Sequence, residues 1–203
     1  MARLREHRRA VGASGGWAAA VVVLGAIAVV GRGRPVASPS AAPLDGLPPR
    51  DCASSDPWLV TTLFARGRSF DPEPAVVAVH GTANDGAREL RELADVRRVG
   101  NTYGLAYDPT AAVVYAGAYH KRNTAFGPLG PGGIYRVPLD GRPAEPFGRV
   151  PDAGRDLHDR DNDYDPDERG RGEAAKTGLG DIDLSPDGAV LFAMNLAERR
   201  IDR

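Results

Sequence analysis

Acidic residues crowd one stretch of this sequence at alternate positions. Carboxylates spaced in this way converge on a single hard cation in the loops that bind calcium. The set is Asp159, Asp161, Asp163, Asp165 and Asp167. An EF-hand is excluded, because the sixth position counted from Asp159 is Tyr164 and the twelfth is Gly170, where that loop requires Gly and Glu. The spacing predicts a Ca²⁺ site of another kind, and a solvated acidic loop offset by neighbouring arginines is the alternative.

Two further groups of residues carry weaker signals. His120-Lys121-Arg122 precedes a loop of glycines and prolines at 127–133, and basic side chains beside backbone N–H groups can hold an anion. The strand–loop–Lys–helix order of a phosphate-binding loop is missing, which favours a plain turn-rich connection. Asp181 and Asp183 share one face of a strand and suggest a calcium-dependent hydrolase, which would need a second carboxylate cluster. No catalytic residue is assigned, and a non-enzymatic protein is the first hypothesis.

The first 42 residues have the order of an export signal. Four arginines precede the uncharged apolar run 17–30, which Arg32 and Arg34 end, and small residues follow. The run is shorter than the ~20 residues that span a bilayer comfortably, so a cleaved signal peptide and an uncleaved membrane anchor both stay open. Under either alternative the leading positive charge places the rest of the chain outside the cytoplasm. Residues 43–57, rich in Pro, Ala and Ser, are predicted to be a linker.

The charge distribution and the single cysteine narrow the possible partners. Residues 1–34 hold six arginines and one acid, which leaves 20 basic and 26 acidic residues in the rest of the chain. Nucleic acid is excluded as a partner, because binding it requires a clustered basic surface. Cys52 has no second cysteine with which to form an internal disulfide, so it is either a free thiol or paired with another chain. The expected partner is an unidentified extracellular ligand or surface component.

From Trp58 onward the sequence alternates short apolar runs with turns, which predicts β-strands. The clearest feature is a repeat: the segment 105–116 is echoed by 182–193 at an offset of 77 residues. Each copy is a strand, a turn opened by Asp-Pro or Ser-Pro-Asp-Gly, and a second strand, as in a β-hairpin. The stretch 88–99 fits either a short helix or a polar outer strand.

These features predict an all-β fold, a partial β-propeller of about two blades preceded by an N-terminal hydrophobic helix. One blade spans 101–149, with 133–141 as its exposed outer strand, and the next begins near Lys176. The domain 58–203 contains an acidic insertion loop at 150–175, which is too charged to join the core. Propellers close with ~4–8 blades, so we expect a truncated product, and an inert one is a further alternative.

Several segments resemble the propeller that opens large bacterial cell-surface proteins of the adhesin type. They are Val99–Tyr107, Tyr119–Arg122, Phe126–Tyr135 and Gly178–Asp183. In that family the propeller often precedes B-type immunoglobulin-like repeats. The resemblance covers about 50–203 and implies an exported or cell-surface β-propeller module for binding or display.

Overall fold

The computed structural model describes residues 57–65, 72–81, 90–158 and 167–203. The interpretations of the export segment, the linker up to residue 56 and Cys52 lie outside these residues. Three antiparallel sheets follow one another along the chain. Sheet I has the order β1-β2-β3, from Trp58–Thr62, Pro74–His80 and Arg91–Asp95. A single helical turn, α1 (Val96–Val99), leads out of it, and the Asp95 side chain caps this turn by accepting from the Arg98 N–H at 3.1 Å.

Sheet II is the central sheet and has four strands in sequential order. They are β4 (Thr102–Asp108), β5 (Val113–Ala118), β6 (Gly133–Pro138) and β7 (Glu145–Arg149). Its first hairpin turns as the Asp-Pro sequence predicts, because the Asp108 carboxylate accepts from the N–H groups of Thr110 and Ala111 at 2.8 and 3.0 Å. The predicted blade at 101–149 is therefore one antiparallel sheet.

Sheet III repeats this arrangement with three strands in the order β10-β9-β8. They are β8 (Leu179–Leu184), β9 (Leu191–Asn195) and β10 (Arg200–Asp202). The hairpin between β8 and β9 turns at Gly188, whose φ of +72° is the left-handed conformation that glycine adopts most readily. Inside the turn, the Val190 N–H donates to the Ser185 hydroxyl at 2.9 Å. Both members of the sequence repeat are therefore hairpins in register.

Sheet II is covered on both faces. Its Leu105, Val114 and Ala116 pack with residues of sheet I in one apolar cluster, and its Ala106 and Ile134 pack with Ile182 of sheet III in a second. Close approach between β4 and β8 requires glycine: a Cβ on Gly104 would lie 2.5 Å from the Gly180 carbonyl oxygen and 2.7 Å from the Ile182 nitrogen. The first strands of sheets II and III are thus neighbours in the core.

The all-β prediction is confirmed, and three details of the architecture differ from expectation. The apolar runs near the start of the domain build a sheet of their own, so the described residues form three sheets where about two blades were expected. Strand β6 was expected to be an exposed outer strand, and this was wrong. Tyr135 and Val137 are fully buried, because sheets I and III cover both faces, and the exposed edge strand is β7. The stretch 91–99 combines a strand with a helical turn.

The prediction that 150–175 stays out of the core is wrong at both ends of the segment. Val150 and Ala153 belong to the apolar cluster between sheets II and III, and His158 and Asp167 are buried. Residues 159–166 lie outside the described part. Among the described residues no helix has the length and apolar character of a membrane span.

Candidate functional site

Three connections meet beside the ends of β5 and β8, at what is here called the loop junction. They are the segments 119–126, 150–158 and 167–178. Backbone bonds tie them together: Gly178 N–H donates to the Ala153 carbonyl at 2.8 Å, and Tyr119 and Gly178 form an isolated antiparallel bridge. The junction brings together the buried side chains of His120, His158 and Asp167, which are distant in sequence, and the exposed carboxylate of Asp156 adjoins them.

His158 is the best-connected side chain of the junction. Its Nδ1 lies 2.6 Å from Asp156 Oδ1 and its Nε2 lies 3.0 Å from the Lys121 carbonyl oxygen. Both neighbours only accept hydrogen bonds, so this arrangement favours the imidazolium form, in which both ring nitrogens donate. Burial opposes this charge, but the hydrogen bonds to Asp156 and to the Lys121 carbonyl outweigh it and raise the pKa of His158. Asp167 Oδ2, 3.7 Å away, adds to the attraction.

His120 is the second member of the pair. It stacks on His158 with ring centroids 4.4 Å apart and an interplanar angle of 16°. Its Nε2 donates to the Gly170 carbonyl at 2.9 Å, and its buried Nδ1 has no hydrogen-bond partner among the described residues. Burial lowers the pKa of His120, and the positive charge of a protonated His158 lowers it further. The surroundings therefore shift the pKa values of the two stacked rings in opposite directions, upward for His158 and downward for His120.

Asp167 anchors the third connection. Its side chain is fully buried, and its carboxylate accepts from the N–H groups of Asn123 at 2.8 Å and Gly170 at 3.1 Å. A Cβ at Gly170 would lie 2.6 Å from Asp167 Oδ1, so a larger residue there would displace this carboxylate. Arg122 adds an ion pair with Glu168 at 2.8 Å. The segment that follows the acidic stretch is thus fixed to the loop after β5.

The predicted calcium ligands divide between described and undescribed residues. Asp167 is the described one, and its two oxygens each accept a backbone hydrogen bond as given above. The other four aspartates, Asp159, Asp161, Asp163 and Asp165, lie outside the described residues. Within the described ranges, no group of three or more His, Cys, Asp or Glu side chains could hold a metal ion. The calcium site stays a prediction.

The basic triplet and the glycine-rich loop have separate structural roles. His120 points into the junction, while Leu129 N–H donates to the Tyr135 hydroxyl at 3.0 Å and Gly130 and Gly133 donate to carbonyls within the loop. The Tyr135 ring is fully buried, and burial raises its pKa to about 12. These N–H groups are occupied inside the loop, which agrees with a turn-rich connection and not with an anion cradle.

Asp181 and Asp183 lie on the face of sheet III that points away from sheet II. Each carboxylate accepts from the N–H of the next residue, at 3.1 Å for Ile182 and 2.8 Å for Leu184. They share an open, apolar shallow cavity with Phe192, Met194 and Ile201. Within the described part, these two carboxylates adjoin apolar side chains and not a second carboxylate cluster.

Sequence reasoning missed the histidine pair. His120 and His158 are far apart in sequence and show no metal-binding spacing, and only the folded loops bring them together. His158 also lies in the stretch 150–175, whose charge favoured a solvated loop. Phe126, which packs edge-on against His158 at 5.5 Å between centroids, was noted only as part of the resemblance.

The fold and the junction define an all-β protein of stacked antiparallel sheets. The chain is similar to Colossin-C of Dictyostelium discoideum, with 31% identity over 87 residues, which cover 38% of this chain and 9% of that protein. The chain therefore corresponds to a small part of this relative's length. No protein-family model matches the sequence, and no solved structure gives a significant match.

Proposed function

We propose that this chain is an exported, non-enzymatic β-propeller module that binds or displays a ligand at the cell surface. The observation that carries the proposal is the packing of sheet III across one face of sheet II, with β8 beside β4 at Gly104. In a propeller, consecutive sheets stack face to face in this way with their first strands innermost. The resemblance to adhesin-type surface proteins supports the same architecture.

The open face of sheet III supports a propeller further. By the 77-residue offset, Phe192 and Met194 occupy the positions of Tyr115 and Gly117 in sheet II. Sheet III covers those sheet II positions, whereas Phe192 and Met194 are each 38% exposed. In a propeller this is the face of a blade that packs against a neighbouring blade.

Export is supported by the basic, apolar and small-residue order of the first 42 residues. The test fuses a reporter enzyme that is active only outside the cytoplasm to the end of the full chain in a bacterial host. We expect reporter activity, and we expect it to disappear when Val22→Arg and Leu24→Arg break the apolar run. An active cytoplasmic reporter in the same position, with no external signal, would reject export.

The alternative of a calcium-dependent propeller hydrolase has less support. Its candidate carboxylates, Asp181 and Asp183, face apolar side chains in sheet III, and each accepts a hydrogen bond from the N–H of the next residue. Calcium at the acidic stretch does not require catalysis, because a bound ion can also order a loop. We therefore propose Ca²⁺ as a structural ligand of this module.

A further inference from the structure

Three aromatic rings and one amine lie together where β1, β4 and β5 end or begin. Tyr103 belongs to β4, Tyr119 follows β5, and Phe64 follows β1. The ring centroids of Tyr103 and Tyr119 are 5.1 Å apart, with an interplanar angle of 34°. Those of Phe64 and Tyr119 are 6.3 Å apart, with an interplanar angle of 33°. With Lys121 these residues form what is here called the aromatic–lysine site.

The rings are accessible from solvent. Tyr103 is 43% exposed, and Phe64 and Tyr119 are half-buried. Burial raises the pKa of Tyr119, with a smaller contribution from Tyr103, so its hydroxyl stays neutral at physiological pH. The three rings therefore offer an uncharged apolar surface of the kind that packs against a flat or ring-shaped molecule.

Lys121 brings an amine to this surface. Its Nζ lies over the Phe64 ring, 3.3 Å from the centroid, and within the described residues it makes no ion pair with a carboxylate. Its backbone is fixed, because its carbonyl accepts from His158 and it forms an isolated bridge with Thr124. Burial without a compensating charge lowers the pKa of Lys121 to about 8.

A lowered pKa leaves more of the Lys121 amine uncharged, and therefore able to act as a nucleophile, at neutral pH. About a tenth of such an amine is uncharged at pH 7, compared with roughly 0.03% of an ordinary lysine. An uncharged amine adds its lone pair to a carbonyl carbon, and loss of one water then gives an imine with no change of oxidation state. The step is reversible by addition of water, and it needs no co-reactant.

We propose that the aromatic–lysine site binds small aldehydes or ketones with a ring-shaped body, which stack on Tyr103 and Tyr119 and form a reversible imine with Lys121. The site goes beyond a general binding or display module and does not depend on whether the chain is exported. Its geometry rests on described residues at the same end of sheets I and II.

The chain contains its own control, since Lys176 is its only other lysine. Lys176 is exposed, and its Nζ donates to the Gly172 carbonyl at 2.7 Å, whereas the Nζ of Lys121 lies over an aromatic ring. The full-length protein is treated at neutral pH with benzaldehyde and cyanoborohydride, which reduces each imine to a stable amine. Peptide mass mapping then gives the rate at each lysine and separates both from the N-terminal amine.

We expect Lys121 to be labelled about tenfold faster than Lys176, because its larger uncharged fraction outweighs the weaker nucleophilicity of a less basic amine. Acetaldehyde serves as the matched probe without a ring. The ratio of benzaldehyde to acetaldehyde labelling should be several-fold higher at Lys121 than at Lys176, since the probes' intrinsic reactivities cancel in this comparison.

Two variants test the role of the rings. Tyr103→Ala should lower benzaldehyde labelling of Lys121 and leave acetaldehyde labelling unchanged. Phe147→Ala removes an aromatic ring from β7 that is 53% exposed and should change neither rate. Equal labelling of the two lysines would overturn the proposal. So would the same probe preference at both lysines, which would make Lys121 a reactive amine without a ligand site.

Discussion

The substitution Gly104→Ala adds one methyl group at the contact between sheets II and III and therefore tests their packing. A Cβ at this position would lie 2.5 Å from the Gly180 carbonyl oxygen, 2.7 Å from the Ile182 nitrogen and 2.9 Å from the Asp181 carbonyl carbon. All three atoms are backbone of β8, so no side-chain rotation relieves the overlap. Gly104→Ala therefore requires β4 and β8 to move apart.

The expected loss in the free energy of unfolding can be taken from other overpacked protein cores. Inserting a methyl group into a packed core typically destabilises by 1–3 kcal/mol, and backbone neighbours place Gly104→Ala at about 2–3 kcal/mol. For a protein of this size, 1 kcal/mol shifts the melting temperature by roughly 2–4 °C. We therefore expect the melting temperature to fall by about 4–12 °C.

The assay is thermal unfolding followed by circular dichroism, with Gly148→Ala as the matched control. A Cβ at Gly148 in β7 meets nothing within 4 Å, so that variant should stay within about 0.5 kcal/mol of the parent. Hydrogen exchange adds a local readout: the amides of β8 should exchange faster in Gly104→Ala, and those of β2 should change less. Equal melting temperatures for the two variants would refute the close approach of β4 and β8.

Three further outcomes follow from the loop junction, the acidic stretch and the open face. Because folding raises the pKa of His158, its contribution to stability is present below its unfolded pKa of about 6.5 and is lost as pH rises through the higher folded value. His158→Gln should therefore cost about 1–3 kcal/mol near pH 6 and less near pH 8. A cost that grows with pH would contradict the assignment. Calcium should bind the full chain with a Kd of roughly 0.1–1 mM in isothermal titration, and Asp161→Asn with Asp163→Asn should abolish the heat. No heat in the parent would leave only the solvated loop. Phe192→Lys with Ile201→Lys should reduce dye binding and aggregation without lowering the melting temperature by more than about 2 °C, because both side chains are exposed. Unchanged aggregation would show that another surface drives it.

Hairpins could be predicted from the sequence because their causes are local. The Asp-Pro turn at 108–109 and the positive φ at Gly188 are decided within a few residues, and both hairpins formed as expected. The sequence left 88–99 open between a helix and a strand, and the structure has a strand there followed by a helical turn that Asp95 caps. Local rules sufficed for the hairpins.

The remaining features depend on contacts between distant segments. The burial of β6 arises because two other sheets cover it, and alternation within Tyr135, Arg136 and Val137 resembles that of an exposed strand. The buried state of Asp167 is set by the backbone donors of Asn123 and Gly170, one of them 44 residues away. Charge and periodicity in the sequence carry no information about such distant partners, so the burial of β6 and of Asp167 was not predicted.

The most direct test of the stacked sheets is a disulfide between β5 and β8. A Cβ at Gly117 would lie 3.5 Å from the Leu179 Cβ, within the 3.5–4.5 Å that disulfides span. Gly117→Cys with Leu179→Cys, in a Cys52→Ser background, should form an intramolecular disulfide under mild oxidation, as detected by peptide mass. Gly148→Cys with Leu179→Cys should not form one. A folded protein in which both cysteine pairs stay reduced, or form disulfides to the same extent, would contradict the packing of sheet III on sheet II.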